Sequence, residues 1–192
     1  MKNIVTQLAE GLDPKEVTGL LNQHFSYVED SILSQNGILD KYLGDAAIGL
    51  FGVPFVEDND GYNAILAALK IKDSLDMVNV KNRILRLPPL KLGIGIATGA
   101  VVVGLVGSPK RSEYSIVGDS MNTSRHLQMA NKIYGTSILI CEKTHAQVKE
   151  QFHLREIDFI STREDDMPRR IYEVIGKVDL NVDLPTDTVV SL

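Results

Sequence analysis

The chain of 192 residues is predicted to form an α+β domain in which helices pack on a mostly antiparallel β-sheet. Three observations lead to this prediction. Segments with helical spacing of apolar residues alternate with pairs of short strands. Glycine-containing turns join the strands of each pair, and the sequence contains no internal repeat. The order is that of a β-α-β-β-α-β core without its first strand, because Met1 to Leu8 is too short and weakly apolar to supply one.

The first helix is predicted over residues 13–33. Asp13 is an acceptor suited to the N-cap, Pro14 fits the first turn, and Glu16 follows three residues after Asp13. Asn36-Gly37 then interrupts the helical pattern. Apolar residues recur at helical spacing between these limits and define one apolar face: Val17, Leu20, Leu21, Phe25, Val28 and Ile32.

A β-hairpin is predicted next, with strands over residues 38–43 and 46–51. Gly44-Asp45 lies between them and is a residue pair typical of tight hairpin turns. Val53-Pro54 ends the second strand, and the acidic residues 57–61 lead into a second helix. The apolar side of that helix is formed by Ala64, Ile65, Ala68, Leu69 and Leu75.

The middle of the chain is predicted to form a loop, a second hairpin and a third helix. Residues 81–89 are basic and contain proline, which is typical of a loop, whereas residues 91–98 and 100–106 are rich in β-branched residues. Glycine occurs at positions 93, 95, 99, 104, 107 and 118, and this density predicts that another group approaches the backbone closely. The third helix is expected over residues 119–134.

The last part of the chain is predicted to contain a strand over 137–141, a short helix over 142–149 and two strands over 152–160 and 170–175. Residues 177–192 show no period. We therefore expect one domain over residues 1–176 and a flexible tail over 177–192.

Composition limits the functional classes. The net charge of −5 and the low aromatic content argue against an RNA-binding domain and against nucleic-acid binding in general. No apolar stretch approaches the length of a membrane helix, and the start lacks the apolar run of a signal peptide. A cytoplasmic location without membrane contact by this chain is therefore expected, and the chain as the cytosolic domain of a larger or membrane-attached protein is the alternative. Cys141 is the single cysteine, which excludes an internal disulfide framework.

Several segments resemble the signature regions of class III nucleotidyl cyclases. Residues 41–45, KYLGD, are followed by AAIGLFGVP and resemble the family pattern K-F-x-G-D-x-x-M-A-x-F-G-x-P. Residues 93–128 resemble the family segment that contains T-G-x-V-V-x-G, R-x-E-Y-T-x-I-G-D and N-x-A-x-R-L-E, and RRIYEVIG resembles the closing strand. Because these motifs keep their order and spacing over residues 6–176, the chain is identified as similar to adenylate and guanylate cyclase catalytic domains.

The resemblance implies a ferredoxin-like βαββαβ core and conversion of ATP or GTP into a cyclic 3′,5′-monophosphate and pyrophosphate. It also implies two Mg²⁺ or Mn²⁺ ions per site and sites shared across a head-to-tail dimer. Asp45 matches one of the two metal-bridging aspartates, although an aspartate also suits the turn itself. The slot of the other aspartate falls on Met1, so the first strand and this ligand are expected to be missing from the chain.

The same resemblance assigns substrate contacts to three residues. Lys41 matches the lysine that binds the purine edge, and Asn122 matches the asparagine that orients the ribose. Ser115 occupies a slot that is usually Asp or Thr, and its hydroxyl can both donate and accept a hydrogen bond. Such a hydroxyl can meet adenine without excluding guanine, and of the two nucleotides we favour ATP. A solvent-facing lysine and a polar residue in the first turn of a helix are the alternatives for Lys41 and Asn122.

One position departs from the family. Four residues beyond Asn122, where the family has an arginine that stabilises the transition state, this chain has His126. Arg125 lies one residue earlier, about 100° around the helix, so it should point elsewhere. A mostly neutral imidazole lacks the guanidinium fork, and loss of such a donor costs about 10²–10³-fold in rate. His126 could also be an ordinary helix residue.

Three further basic residues are candidates for phosphate contacts. Lys110 and Arg111 lie in the loop after residues 107–108, where a solvated loop explains them equally well. Arg163 falls where the family has a phosphate-binding lysine, but the adjacent Glu164 and Asp165 would weaken anion binding.

Two hypotheses from different classes follow. The first is an adenylate cyclase domain that works as a homodimer, or as a heterodimer with another cyclase domain, and takes Asp45 from one subunit and Lys41, Ser115 and Asn122 from the other. The second is a catalytically weak or inactive cyclase-homology module that serves dimerisation or nucleotide sensing. His126 and the expected lack of the first aspartate favour the second hypothesis.

Overall fold

The computed structural model describes residues 13–84, 89–161 and 168–178. Within these ranges the helices are α1 (Pro14–Leu33), α2 (Asp60–Ile84), α3 (Asp119–Tyr134) and α4 (Glu142–Val148). The strands are β1 (Ile38–Leu43), β2 (Ala46–Leu50), β3 (Ile94–Ile96), β4 (Val102–Ser108), β5 (Arg111–Val117), β6 (Ile138–Cys141), β7 (Phe152–Ile160) and β8 (Arg169–Lys177). None of the described helices has the length and hydropathy needed to cross a bilayer.

The strands form one four-stranded sheet and two separate two-stranded ribbons. The sheet has the order β3-β6-β8-β7, in which β3 runs parallel to β6 and the other neighbours are antiparallel. β1 pairs with β2 and β4 pairs with β5, both antiparallel. The α+β class with a mostly antiparallel sheet is therefore confirmed.

Strand β6 is the centre of the core because both of its faces are covered. Ile138 and Ile140 belong to one apolar cluster with residues of α2 and α4, whereas Leu139 and Cys141 pack with α3 on the opposite face. Successive side chains of a strand point to opposite faces, so a strand that lies between two helical layers must be apolar throughout. The sequence ILIC meets this requirement, and the four residues are all buried.

Helix α1 connects the first ribbon to the rest of the domain. Val28 and Ile32 of α1 pack against α2 and against Leu39 and Phe51 of the ribbon region. Near the turn, the Tyr42 ring lies 4.3 Å from Phe25, and the Tyr42 hydroxyl donates to Glu29. Desolvation and the neighbouring Glu29 carboxylate raise the pKa of Tyr42. The β1–β2 hairpin is thus held on α1 by apolar and aromatic contacts.

The predicted second hairpin is wrong. Residues 91–98 and 100–106 do not pair with each other: β3 lies beside β6, and β4 pairs with β5. The reason is that α3 covers β3 directly. A Cβ atom on Gly95 would collide with backbone atoms of Ser124 and Gln128, so the glycines at 93 and 95 permit helix contact rather than a hairpin turn.

The prediction of a loop over residues 81–89 is wrong for residues 81–84, because α2 continues to Ile84. The Asn79 side chain both accepts from and donates to the backbone of Leu90, which fixes the chain where it returns to the fold. Residues 85–88 lie outside the described residues. The same holds for residues 1–12, on which the expectation of a missing first strand rests, and for residues 179–192 of the predicted tail.

Candidate active site

A cleft of about 360 Å³ opens between the two ribbons. Its size is within the range of small-molecule sites. Apolar side chains form most of its wall, and a few polar groups converge on it. The lining residues are Ile38, Leu39, Asp40, Lys41, Leu50, Val53, Val103, Glu113 and Tyr114.

Lys41 connects the two ribbons at this cleft. Its Nζ donates to the backbone carbonyl of Tyr114 at 3.3 Å, and its side chain is 31% exposed. Ser115 is the next residue of β5 and is half-buried. Lys41 and Ser115, the two residues assigned to the purine edge, are 74 positions apart in the sequence but lie in the same part of the fold. The hydrogen bond from Lys41 to Tyr114, the neighbour of Ser115 in β5, brings them together.

Asp40 also lines the cleft, although it belongs to none of the motifs in the sequence. The ladder between β1 and β2 shifts register between Leu39 and Lys41, so Asp40 is the extra residue of a β-bulge. Its Oδ2 atom lies 3.7 Å from the Lys41 Nζ, and its side chain is only 9% exposed. The sequence ILDKYL does show the charged pair Asp40-Lys41 in an otherwise apolar strand. The β-bulge that turns Asp40 toward the cleft cannot be recognised from the sequence.

Asp45 lies at the tip of the first ribbon, as predicted. Gly44 takes a left-handed conformation with φ of 66°, which lets the chain reverse between Leu43 and Ala46. Asp45 is half-buried and makes no side-chain hydrogen bond or ion pair within residues 13–84, 89–161 and 168–178. A carboxylate of this kind suits Mg²⁺ or Mn²⁺, which prefer oxygen ligands. The described residues hold no group of three or more potential metal ligands, so Asp45 alone is not a complete site.

Helix α3 carries the predicted ribose and phosphate residues on its exposed side. Asn122 and His126 are both exposed and lie one turn apart on the same face as Asp119, whereas Arg125 is offset by about 100°. The guanidinium of Arg169, at the start of β8, lies 3.8 Å from the Asp119 carboxylate. Arg169 was not predicted, because its proximity depends on how β8 packs beneath α3.

The remaining basic residues proposed for phosphate contacts have less support from the structure. Arg111, at the tip of the second ribbon, is strongly exposed and pairs with Glu113 at 3.3 Å, so part of its charge is already balanced. Lys110 lies in the same exposed turn. Arg163 falls outside the described residues.

Comparison with known proteins gives a consistent family signal. The profile of the family described as "Adenylate and Guanylate cyclase catalytic domain" matches residues 3–174. The chain is 30% identical over 173 residues to "Adenylate cyclase 1" of Rhizobium meliloti (strain 1021). This match covers 90% of this chain and 26% of that protein. It is 32% identical over 176 residues to "Adenylate cyclase" of Anabaena cylindrica, covering 88% and 34%. The chain thus spans about a third or less of the length of these relatives.

Solved structures show the same similarity in three dimensions. The guanylyl cyclase Cya2 superposes with a TM-score of 0.78 at 32% identity, covering 92% of this chain and 88% of the other. The adenylyl cyclase CyaB from P. aeruginosa superposes with a TM-score of 0.79 at 28% identity, covering 94% and 91%. Both matches thus cover more than nine-tenths of this chain.

Proposed function

Because the chain belongs to the family of adenylate and guanylate cyclase catalytic domains, we propose that it converts ATP into cyclic AMP and pyrophosphate. The observation that supports this most strongly is the position of Lys41. Its ammonium lies in an apolar cleft, next to the strand that carries Ser115, where a flat base could be enclosed and one of its edge atoms could receive a hydrogen bond.

The proposed reaction is an in-line displacement at phosphorus. The 3′-oxygen of the ribose attacks the α-phosphorus, the bond to the β-phosphate oxygen breaks, and pyrophosphate leaves with the electron pair while the 3′-hydroxyl proton passes to water. Asn122, exposed in the first turn of α3, would hold the ribose so that the 3′-oxygen faces the phosphorus. Asp45 would hold a divalent cation, which supplies positive charge against the triphosphate when bound.

A dimer is part of this proposal. Strands β4 and β5 pair only with each other among the described strands, and their ribbon exposes several large apolar side chains. Apolar surface of this kind marks an interaction site. A second copy that covered it would also bring its own site residues close to the first cleft. The exposed residues are Val102, Leu105, Val106, Tyr114 and Val117.

A second candidate function has one specific observation in its favour. His126 stands where the family has an arginine, and it is exposed on the same face of α3 as Asn122. An imidazole gives the developing phosphorane less charge stabilisation than a guanidinium. A module that binds nucleotide and dimerises with little turnover would carry the same fold and the same cleft.

The proposal predicts the product and the preferred base. With ATP, Mn²⁺ or Mg²⁺ and the purified chain, we expect cyclic AMP and pyrophosphate in equal amounts, and no product when the metal is chelated. Because Lys41 donates and Ser115 can accept, we expect kcat/KM for ATP to exceed that for GTP by about tenfold. Chromatographic separation of the products measures both quantities.

One result would separate the candidate functions, and another would test the base assignment. Nucleotide binding without cyclic product in either metal would favour the sensing module. A kcat/KM for GTP that equals or exceeds the value for ATP would contradict the base assignment while leaving cyclase activity in place.

A further inference from the structure

The carboxylate of Asp40 is the most unusual polar group in the described part of the chain. Its Oδ2 atom is buried and has no hydrogen-bond donor among the described residues, and the Lys41 ammonium at 3.7 Å is too distant for a hydrogen bond. Burial of such an oxygen is costly, so its retention requires an explanation. The explanation must involve the cleft, because Asp40 lines it.

The β-bulge gives Asp40 this position. In a regular strand, consecutive residues point to opposite faces, and Asp40 would be separated from Lys41 by the sheet. The register shift between Leu39 and Lys41 removes this alternation. As a result both charged side chains line the same cleft, with the Asp40 carboxylate 3.7 Å from the Lys41 ammonium.

Lys41 is restrained from two sides. A lysine ammonium has three N–H donors and a flexible stem with considerable rotamer entropy. One donor is used by the Tyr114 carbonyl at 3.3 Å, and the Asp40 carboxylate attracts the same ammonium through a cleft of low polarity. The other two donors are available to acceptors in the cleft. Because the stem is already held, binding a ligand there costs less ordering entropy.

We propose that Asp40 is a positioning residue for recognition of the base: it holds the Lys41 ammonium so that one of its two remaining N–H groups meets the N1 acceptor of adenine. This inference rests on the proposed function, since it assumes that the cleft receives the base of ATP. Asp40 acts through Lys41 and does not itself touch the nucleotide. Its removal should therefore weaken discrimination between bases more than it weakens the fold.

The test compares two nucleotides that differ only at N1. The probes are 3′-deoxy-ATP and 1-deaza-3′-deoxy-ATP, which lack the attacking hydroxyl and so are not turned over; the second also lacks the N1 acceptor. For the unmodified chain we expect 3′-deoxy-ATP to bind about tenfold more tightly or better, the usual effect of a hydrogen bond from a charged donor. Calorimetric titration with Mn²⁺ present gives both dissociation constants.

Four variants make the result specific. Asp40→Asn keeps the side-chain shape but removes the charge that attracts the Lys41 ammonium. We therefore expect the ratio of dissociation constants to fall to about threefold or less, because the ammonium is held less firmly toward N1. Asp40→Ala provides a second measurement should the amide disturb folding, and Lys41→Met should bring the ratio to about one. Asp76→Asn is the matched control: it removes a carboxylate paired with Lys72 on the surface of α2 and should leave the ratio unchanged.

The possible outcomes are distinct. An unchanged ratio in folded Asp40→Asn or Asp40→Ala overturns the role of Asp40 and leaves the cyclase proposal intact. A ratio near one in the unmodified chain also overturns it, because Lys41 then does not read N1. Absence of binding by either nucleotide to the unmodified chain overturns this inference together with the proposed function.

Discussion

Replacing Asp45 with asparagine should lower metal-dependent formation of cyclic AMP by about 10³-fold, because a divalent cation contributes several kcal/mol of charge stabilisation to phosphoryl transfer. Asp45 sits at the tip of the β1–β2 hairpin, where an amide fits the turn equally well, so the fold should be unaffected. The measurement is the initial rate of cyclic AMP formation with Mn²⁺, accompanied by a urea denaturation curve for the variant.

Asp58 provides a matched control. Asp58 is exposed in the acidic segment before α2, and Asp58→Asn changes the net charge by the same amount without altering the hairpin. We expect this variant to keep the full rate. If Asp45→Asn retained more than about a tenth of the rate, the loss would be too small for a metal ligand, and the assignment of Asp45 would be wrong.

Replacing Gly95 with alanine should destabilise the domain by about 3 kcal/mol or more. The added Cβ atom would collide with the backbone of Ser124 and Gln128 and would lie 2.9 Å from the Leu127 Cβ. Backbone atoms cannot rotate away as a flexible side chain can, so α3 must shift from β3. Since α3 also carries Asn122, turnover should fall together with stability. Urea denaturation gives the free energy of unfolding.

Gly176 provides the comparison for this prediction. It lies in β8, and a Cβ atom added there would meet nothing within 4 Å. Gly176→Ala should change the free energy of unfolding by less than about 0.5 kcal/mol. Equal stability of the two variants would show that α3 does not pack on β3 as described.

Local features of the fold were predictable because short-range chemistry determines them. The Gly44-Asp45 turn specifies the first hairpin, and the predicted strand of residues 38–43 agrees with β1. The third helix was also predicted at its observed limits, since Gly118 and Gly135 bracket a continuous helical pattern. In both cases residues close in sequence are sufficient to specify the element.

Contacts between distant residues could not be predicted in the same way. The pairing of β3 with β6 depends on the helix that covers them, and periodicity within residues 91–106 gives no information on that helix. The bulge at Asp40 is a departure from regular pairing, and the proximity of Arg169 to Asp119 joins elements 50 positions apart in number. Each requires tertiary packing to be known first.

The glycines of residues 93–118 illustrate this difference. Their density predicted close approach of another group, and at Gly93 and Gly95 the approaching group is the chain's own α3. At Gly104 nothing within the described residues lies within 4 Å of the added Cβ position, so this part of the ribbon is open to a second copy or a nucleotide. The same glycine-rich segment thus packs against α3 at Gly93 and Gly95 and has open space beside it at Gly104.

The most direct test of a shared cyclase site is complementation between two inactive variants. Asp45→Asn and Asn122→Ala would each be purified, and cyclic AMP formation would be measured for each alone and for an equal mixture after subunit exchange. If one protomer supplies Asp45 and its partner supplies Asn122, half of all dimers after exchange are mixed and each mixed dimer holds one intact site of two, so the rate should recover to about a quarter of the unmodified value. A mixture that stays at the level of the separate variants would contradict the shared site.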